Sequence, residues 1–167
     1  MKNCAFTGHR PKSLPFGYNE SEPECRRMKD RLRETVEKLI TEEGVIHFIS
    51  GMAMGVDMYA AEEVLALKEK YPHITLECAL PCETQAEKWS EDMRVRYFGI
   101  IEKSDKETLL QNRYTNDCMM KRNRYMVDKC DVLVAVWNGK KSGTANTVNY
   151  ALATGKRVIV IDPENLT

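Results

Sequence analysis

The chain has no excess of charge of either sign: 25 lysines and arginines stand against 25 aspartates and glutamates in 167 residues. A protein without a global field does not concentrate nucleic acid or anionic membrane by electrostatics, so neither is favoured as a partner. No apolar run approaches the roughly 20 residues needed to cross a bilayer. The start, Met1-Lys-Asn-Cys-Ala-Phe-Thr, enters a strand pattern at once and has no apolar secretory region. Both absences lead to the expectation of a cytoplasmic protein with no membrane association. The six cysteines include no C-x-x-C pair, and four lie in apolar runs or helical patterns, where a free thiol behaves as a small hydrophobe. The three histidines, His9, His47 and His73, lack metal-ligand spacing, so no metal is expected. Two nucleotide signatures are missing as well. There is no G-x-G-x-x-G and no P-loop Lys-Ser/Thr, which leaves dinucleotide hydride transfer unsupported.

What is present is a regular alternation of short apolar runs and amphipathic stretches. Strands are expected over Lys2 to Thr7, Val45 to Ile49, Ile74 to Leu80, Asp131 to Trp137 and Arg157 to Ile161, with a short one at Thr108 to Gln111. Helices are expected over Glu24 to Glu43, Val56 to Tyr71, Ala86 to Lys103, Asp117 to Lys129 and Ala145 to Thr154. Gly44 and Gly155 follow two of these as C-cap signals, and Pro72 stops a third. The apolar runs are near-continuous rather than alternating, which marks strands buried on both faces of a parallel sheet. With no linker, repeat or low-complexity tract, residues 1–167 read as a single doubly wound α/β domain with a mostly parallel sheet.

In such a sheet, ligands bind outside the carboxyl ends of the strands, where strand order reverses. Three glycine-bearing loops occupy strand ends. The most informative is Ser50-Gly-Met-Ala-Met-Gly-Val-Asp57, where an apolar strand meets a glycine turn and then the start of a helix. Free N–H groups and the helix dipole suit a phosphate or other anion there. Asp57 has two readings: a cap in the first helical turn, or an acceptor for a ribose hydroxyl. The loop at Thr7-Gly8-His9-Arg10 lets the backbone approach a ligand at Gly8 and offers the planar guanidinium of Arg10 to phosphate or carboxylate. Arg10 could instead pair with an acid, and His9 could be a solvated turn residue. In Asn138-Gly-Lys-Lys-Ser142-Gly143-Thr144, the last three residues precede a helix and suit phosphate oxygens, with plain N-capping as the alternative. Glu83, after the third strand, offers a carboxylate, and Arg113-Tyr114 could pair with or stack on a ligand. The basic run Lys121 to Arg124 reads as a solvated helix face.

Taken in order, Thr7-Gly8, Ile49-Ser50-Gly51 with Gly55-Val56-Asp57, Arg113-Tyr114 and Ser142-Gly143-Thr144 resemble the SLOG superfamily. That group of Rossmann-like domains includes the DNA-processing protein DprA and the LOG phosphoribohydrolases. Within it the chain is most similar to the YpsA-like group, over essentially its whole length. The resemblance implies binding or sensing of a nucleotide or nucleotide-derived phosphoribosyl ligand, ADP-ribose-like ligands included, with no required cofactor. It also implies a link to cell division or stress response and a homodimer. The ligand-binding residues would be Gly8, Arg10, Ser50, Gly51, Gly55, Asp57, Arg113, Ser142, Gly143 and Thr144.

One departure bears on chemistry. LOG enzymes carry P-G-G-x-G-T-x-x-E with a catalytic glutamate, whereas the matching segment here places Thr147 at that position. A threonine supplies neither charge nor basicity. A nucleotide N-glycosidase would then have to use Asp57 or Glu83 as its general acid or base. A third reading is a DNA- or protein-interaction module related to DprA, acting through Lys121 to Arg124. A phosphate-rich polymer, however, would call for a strongly basic groove.

Overall fold

A computed structural model describes residues 2–166. Six strands form one sheet: β1 (Lys2–Gly8), β2 (Val45–Ser50), β3 (Thr75–Leu80), β4 (Lys106–Leu109), β5 (Val132–Val136) and β6 (Arg157–Ile161). Every pairing is parallel, in the order β4-β3-β2-β1-β5-β6. A 3₁₀ turn at Pro11–Ser13 and five helices complete the fold: α1 (Pro23–Glu43), α2 (Val56–Lys70), α3 (Glu91–Lys103), α4 (Cys118–Lys129) and α5 (Gly143–Ala153). This is the doubly wound α/β architecture that the alternating pattern implies, and the sheet is wholly rather than mostly parallel.

Side chains alternate across each strand, so the sheet has two unlike faces. Phe6, Phe48, Leu76 and Val134 meet α1, α2 and α3 on one face, where the Phe6 and Phe48 rings stack with centroids 6.1 Å apart. Ala5, Ala79, Ala135, Ile49 and Leu133 meet α4 and α5 on the other. Three alanines there let α4 lie close to the sheet. All six cysteines are free and buried. No helix among the described residues is long and apolar enough to cross a membrane.

Several boundaries shift by a residue or two from the sequence expectation, α5 for example starting at Gly143 rather than Ala145, and two of the differences have a clear physical cause. The helix expected from Ala86 begins at Glu91. Ser90 caps it by accepting the Met93 N–H at 3.3 Å, while residues 83–88 form turns. Trp89 nevertheless joins the core edge-on to Tyr97, which is why the apolar spacing reads as helix too early. The fourth strand begins at Lys106 rather than Thr108 because Asp105 already ties into β3: its amide donates to the Leu76 carbonyl and its carboxylate accepts the Leu76 N–H. Gln111, expected at the strand's end, donates instead to Thr115 Oγ1 and to the Arg113 carbonyl in the following turn.

The strand order fixes where a site can form. From β1 the chain steps outward through β2, β3 and β4, then α4 returns it to the far side of β1 as β5. The order therefore reverses between β1 and β5, where neighbouring loops part to leave a crevice.

Candidate functional site

The loops after β1, β2 and β5 and one face of α4 enclose a cavity of about 220 Å³ at that reversal point. Gly8, Arg10, Asp57, Ser142, Gly143 and Thr144 all line it, together with Thr7, Lys12, Asn123 and Arg122.

Ser50, Gly51 and Gly55 form the structure behind that wall. Ser50 is fully buried, and its hydroxyl donates to the Asp57 carbonyl at 2.7 Å while accepting the Met52 N–H at 3.2 Å. These bonds hold Met52 at φ 60, a left-handed conformation that a bulky residue adopts only under constraint. Gly55 has φ 94, and a Cβ there would lie 2.6 Å from the His9 carbonyl oxygen. That carbonyl accepts the Val56 N–H at 3.3 Å, locking the first loop to the start of α2. At Gly51 the obstacle to a side chain is Arg122, whose guanidinium carbon would be 2.7 Å from an added Cβ.

His9 is not a solvated turn residue, although it also lines the crevice. It is 4% exposed and its Nε2 accepts the Asn138 N–H at 3.1 Å, tying the β1 loop to the β5 loop. Burial lowers its pKa, which suits a ring nitrogen held as an acceptor. Arg10 is exposed at the mouth and, among the described residues, forms no ion pair within 4 Å, so its fork remains available.

Glu83 and Arg113 lie outside the crevice, both exposed. Glu83 is held through its backbone, whose N–H donates to the Asn112 carbonyl at 3.1 Å, and Arg113 sits in the turn that Gln111 braces. Being near a strand end in sequence did not bring either side chain to the reversal point. Thr147 is buried, and its hydroxyl donates to the Gly143 carbonyl at 3.1 Å within its own helix.

The largest correction concerns Lys121 to Arg124. The run is not uniformly a solvated face: Arg122 is only 3% exposed and points under the crevice. Its Nη1 donates to the Gly51 carbonyl and, at 3.3 Å, to Gln85 Oε1, while Nε donates to Asn123 Oδ1 at 2.8 Å. Among the described residues, Nη2 has only the Met119 sulfur, a weak acceptor, at 3.7 Å. A signal was present in the sequence, since Cys118, Arg122 and Met126 share one stripe at four-residue spacing and all three are buried. A charged residue in a core register is a candidate for a specific task.

Electrostatically the crevice suits an anion. Arg10, Lys12 and Arg122 supply three positive groups, and among the described residues Asp57 is the only acid in the lining. Asp57 is 6% exposed and accepts the Ala53 N–H at 3.3 Å, the bond expected of a loop-ordering cap. Burial raises its pKa, while Arg122, the Ala53 amide and Arg10 oppose the shift. Ser142 caps α5 by accepting the Ala145 N–H at 3.1 Å, so that helix directs its positive end into the cavity beside Thr144. Among the described residues, no group of three histidine, cysteine or acidic side chains is placed to hold a metal.

Solved structures share the fold. The fold is similar to DNA processing protein A from Helicobacter pylori, in a structure describing its single-stranded DNA binding mode (TM-score 0.62, 19% identity over 96% of this chain). It is also similar to DprA from Streptococcus pneumoniae (TM-score 0.66, 15% identity over 97% of this chain). The chain spans 65% of the first protein and half of the second. At such identity the likeness establishes a shared Rossmann-like α/β fold.

Sequence comparison is more specific. The family model for the YspA SLOG family matches residues 4–165, and the chain belongs to that family. It is 37% identical over 144 residues to the SPbeta prophage-derived protein YoqJ of Bacillus subtilis (strain 168), covering 79% of this chain and 84% of that protein. A UPF0398 protein of Bacillus pumilus is 30% identical over 146 residues, covering 86% of this chain and 77% of the relative.

Proposed function

We propose that the protein binds the phosphate of a nucleotide or phosphoribosyl ligand in the crevice between β1 and β5. The observation that carries this reading is Arg122: a guanidinium 3% exposed, braced on two sides, with Nη2 facing no oxygen acceptor. Taking a charge out of water is costly unless its donors are used, so a buried arginine with spare donors beside a cavity calls for an anionic partner. Arg10 and Lys12 would add charge at the mouth, and Thr144 with the α5 N-terminus would meet phosphate oxygens. Asp57 orders the loop that carries Arg122's acceptor at Gly51 and would sit near a sugar hydroxyl.

Isothermal titration with ribose 5-phosphate and nucleoside monophosphates tests the reading. Binding to the native protein that is lost in Arg122→Met, with the fold retained by circular dichroism, supports it. Equal binding by the variant counts against it.

A hydrolytic reading rests on Asp57, the only carboxylate in the lining among the described residues, whose pKa burial raises in the direction needed by a general acid. Release of free base from a nucleotide, abolished in Asp57→Asn, would establish turnover in place of simple binding.

A further inference from the structure

The oxygens that hold Arg122 are all neutral: the Gly51 carbonyl, the Asn123 side-chain amide and the Gln85 side-chain amide. None of the ion pairs within 4 Å among the described residues includes it. Asp57 acts on it only through space, and that carboxylate accepts the Ala53 N–H. Gly51 belongs to the β2–α2 loop and Asn123 to α4 itself. Gln85 reaches the guanidinium from a third place, the irregular segment between β3 and α3.

Both ends of the Gln85 amide are engaged. Its Oε1 accepts from Arg122 Nη1 at 3.3 Å, and its Nε2 donates to the Gly51 carbonyl at 3.2 Å and to the Tyr97 hydroxyl at 3.3 Å. Turned the other way, the amide would set its own N–H groups against the guanidinium and its oxygen against the Gly51 carbonyl, so these partners fix its orientation. Tyr97 is a firm anchor: it is 1% exposed on α3 and packs edge-on against Trp89. The Gly51 carbonyl accepts from Arg122 as well as from Gln85, which closes a triangle under the crevice. The turns of residues 83–88, which delay the start of α3 to Glu91, present Gln85 to these partners. A carboxylate at this point would pair with Arg122 and cancel its charge, while an apolar side chain would leave Nη1 one acceptor fewer. A neutral amide fixes the guanidinium and leaves it cationic.

We propose that Gln85 is a positioning residue of the crevice: its amide holds the Arg122 guanidinium against the Gly51 carbonyl and keeps the arginine's charge for an anion. Gln85 is half-buried behind the lining, so it acts through Arg122 rather than by touching a ligand. The inference rests on the phosphate reading of the crevice and adds how its buried cation is aimed and left unneutralised.

Titrating ribose 5-phosphate against the native protein, Gln85→Leu and Gln85→Glu tests it, with circular dichroism and urea unfolding as controls on the fold. Gln85→Leu should weaken binding by about tenfold, the scale of one lost hydrogen bond to a charged group. Gln85→Glu should weaken it further, because its carboxylate neutralises Arg122, yet its urea midpoint should be no lower than that of Gln85→Leu. A merely structural role predicts instead that affinity follows stability. Without any ligand, the Arg122 Nε–H signal in ¹⁵N NMR, assigned by its loss in Arg122→Met, should exchange slowly in the native protein and faster in Gln85→Leu. Native affinity in either variant, or an unchanged Arg122 signal, would overturn the inference and leave the phosphate site standing. If ribose 5-phosphate does not bind the native protein, the phosphate reading falls, and the Arg122 signal alone decides whether Gln85 positions the guanidinium.

Discussion

Replacing Gly51 by alanine adds one methyl group where the Arg122 guanidinium leaves no room for it. The new Cβ would lie 2.7 Å from three atoms of the Arg122 guanidinium, well inside ordinary contact, so one of the two must move by several tenths of an ångström. Arg122 has little freedom to do so, because it is buried and held by the Gly51 carbonyl, Gln85 and Asn123. Overpacking of this kind costs about 1–3 kcal/mol. If the guanidinium instead leaves the Gly51 carbonyl, the lost charged hydrogen bond costs about 1.5–3 kcal/mol. Both routes give about 2 kcal/mol. With a urea dependence of about 2 kcal/mol per molar, the unfolding midpoint should fall by about 1 M. Urea titration followed by circular dichroism reads this directly. In an Arg122→Ala background the same substitution should cost much less, since its clash partner is gone. An unchanged midpoint for Gly51→Ala, or an equal cost in both backgrounds, would refute the packing argument.

Three further outcomes follow from the structure. Glu20 is held by both Arg96 and Lys29, and hydrogen bonding from Arg96 is the main cause that brings its pKa from 4.5 to about 2. A lowered folded pKa gives stability that is present above 4.5 and lost as pH falls towards 2, at most about 3 kcal/mol. Urea midpoints measured from pH 6 down to pH 3 should therefore fall less steeply in Glu20→Gln than in the native protein. His9 follows the same sign for a different reason: burial lowers its pKa, so its contribution is present above 6.5 and lost as pH falls below that value. Its ring resonances in NMR should titrate below the ordinary histidine range, and a value at or above 6.5 would contradict the tie to Asn138. Single-stranded DNA should bind weakly if at all, because the charge of the whole chain is balanced. Tight, salt-sensitive DNA binding that nucleotides do not compete would favour an interaction module instead.

Most of the fold was legible because parallel strands buried on both faces leave near-continuous apolar runs, as in Val132–Val136, which is buried at every position; the edge strand Arg157–Ile161 keeps the apolar run although only Ile161 is buried. The short edge strand β4 was less so: Lys106, Glu107 and Leu109 are exposed, so no burial pattern marks its start, and a long-range tie from Asp105 to Leu76 sets it. Gly8, Arg10, Asp57 and Ser142–Thr144 could be placed at one crevice because each adjoins a strand end at the reversal of strand order. Glu83 and Arg113 show the limit of that reasoning, since proximity to a strand end does not say where a side chain is directed. Arg122 shows a different limit. Its neighbours Lys121 and Arg124 made it look like part of a charged surface, and only its register with Cys118 and Met126 set it apart.

Thermal unfolding of the native protein in the presence of nucleotides, NAD and ADP-ribose tests the central claim most directly. A ligand that binds only the folded state at about 100 times its Kd adds about 2.7 kcal/mol. In a chain of this size that should raise Tm by about 5–10 °C. A phosphate site built on Arg122 should give such a rise for at least one phosphate-bearing member of the panel, and lose it in Arg122→Met. A flat response across the panel up to millimolar ligand would contradict it.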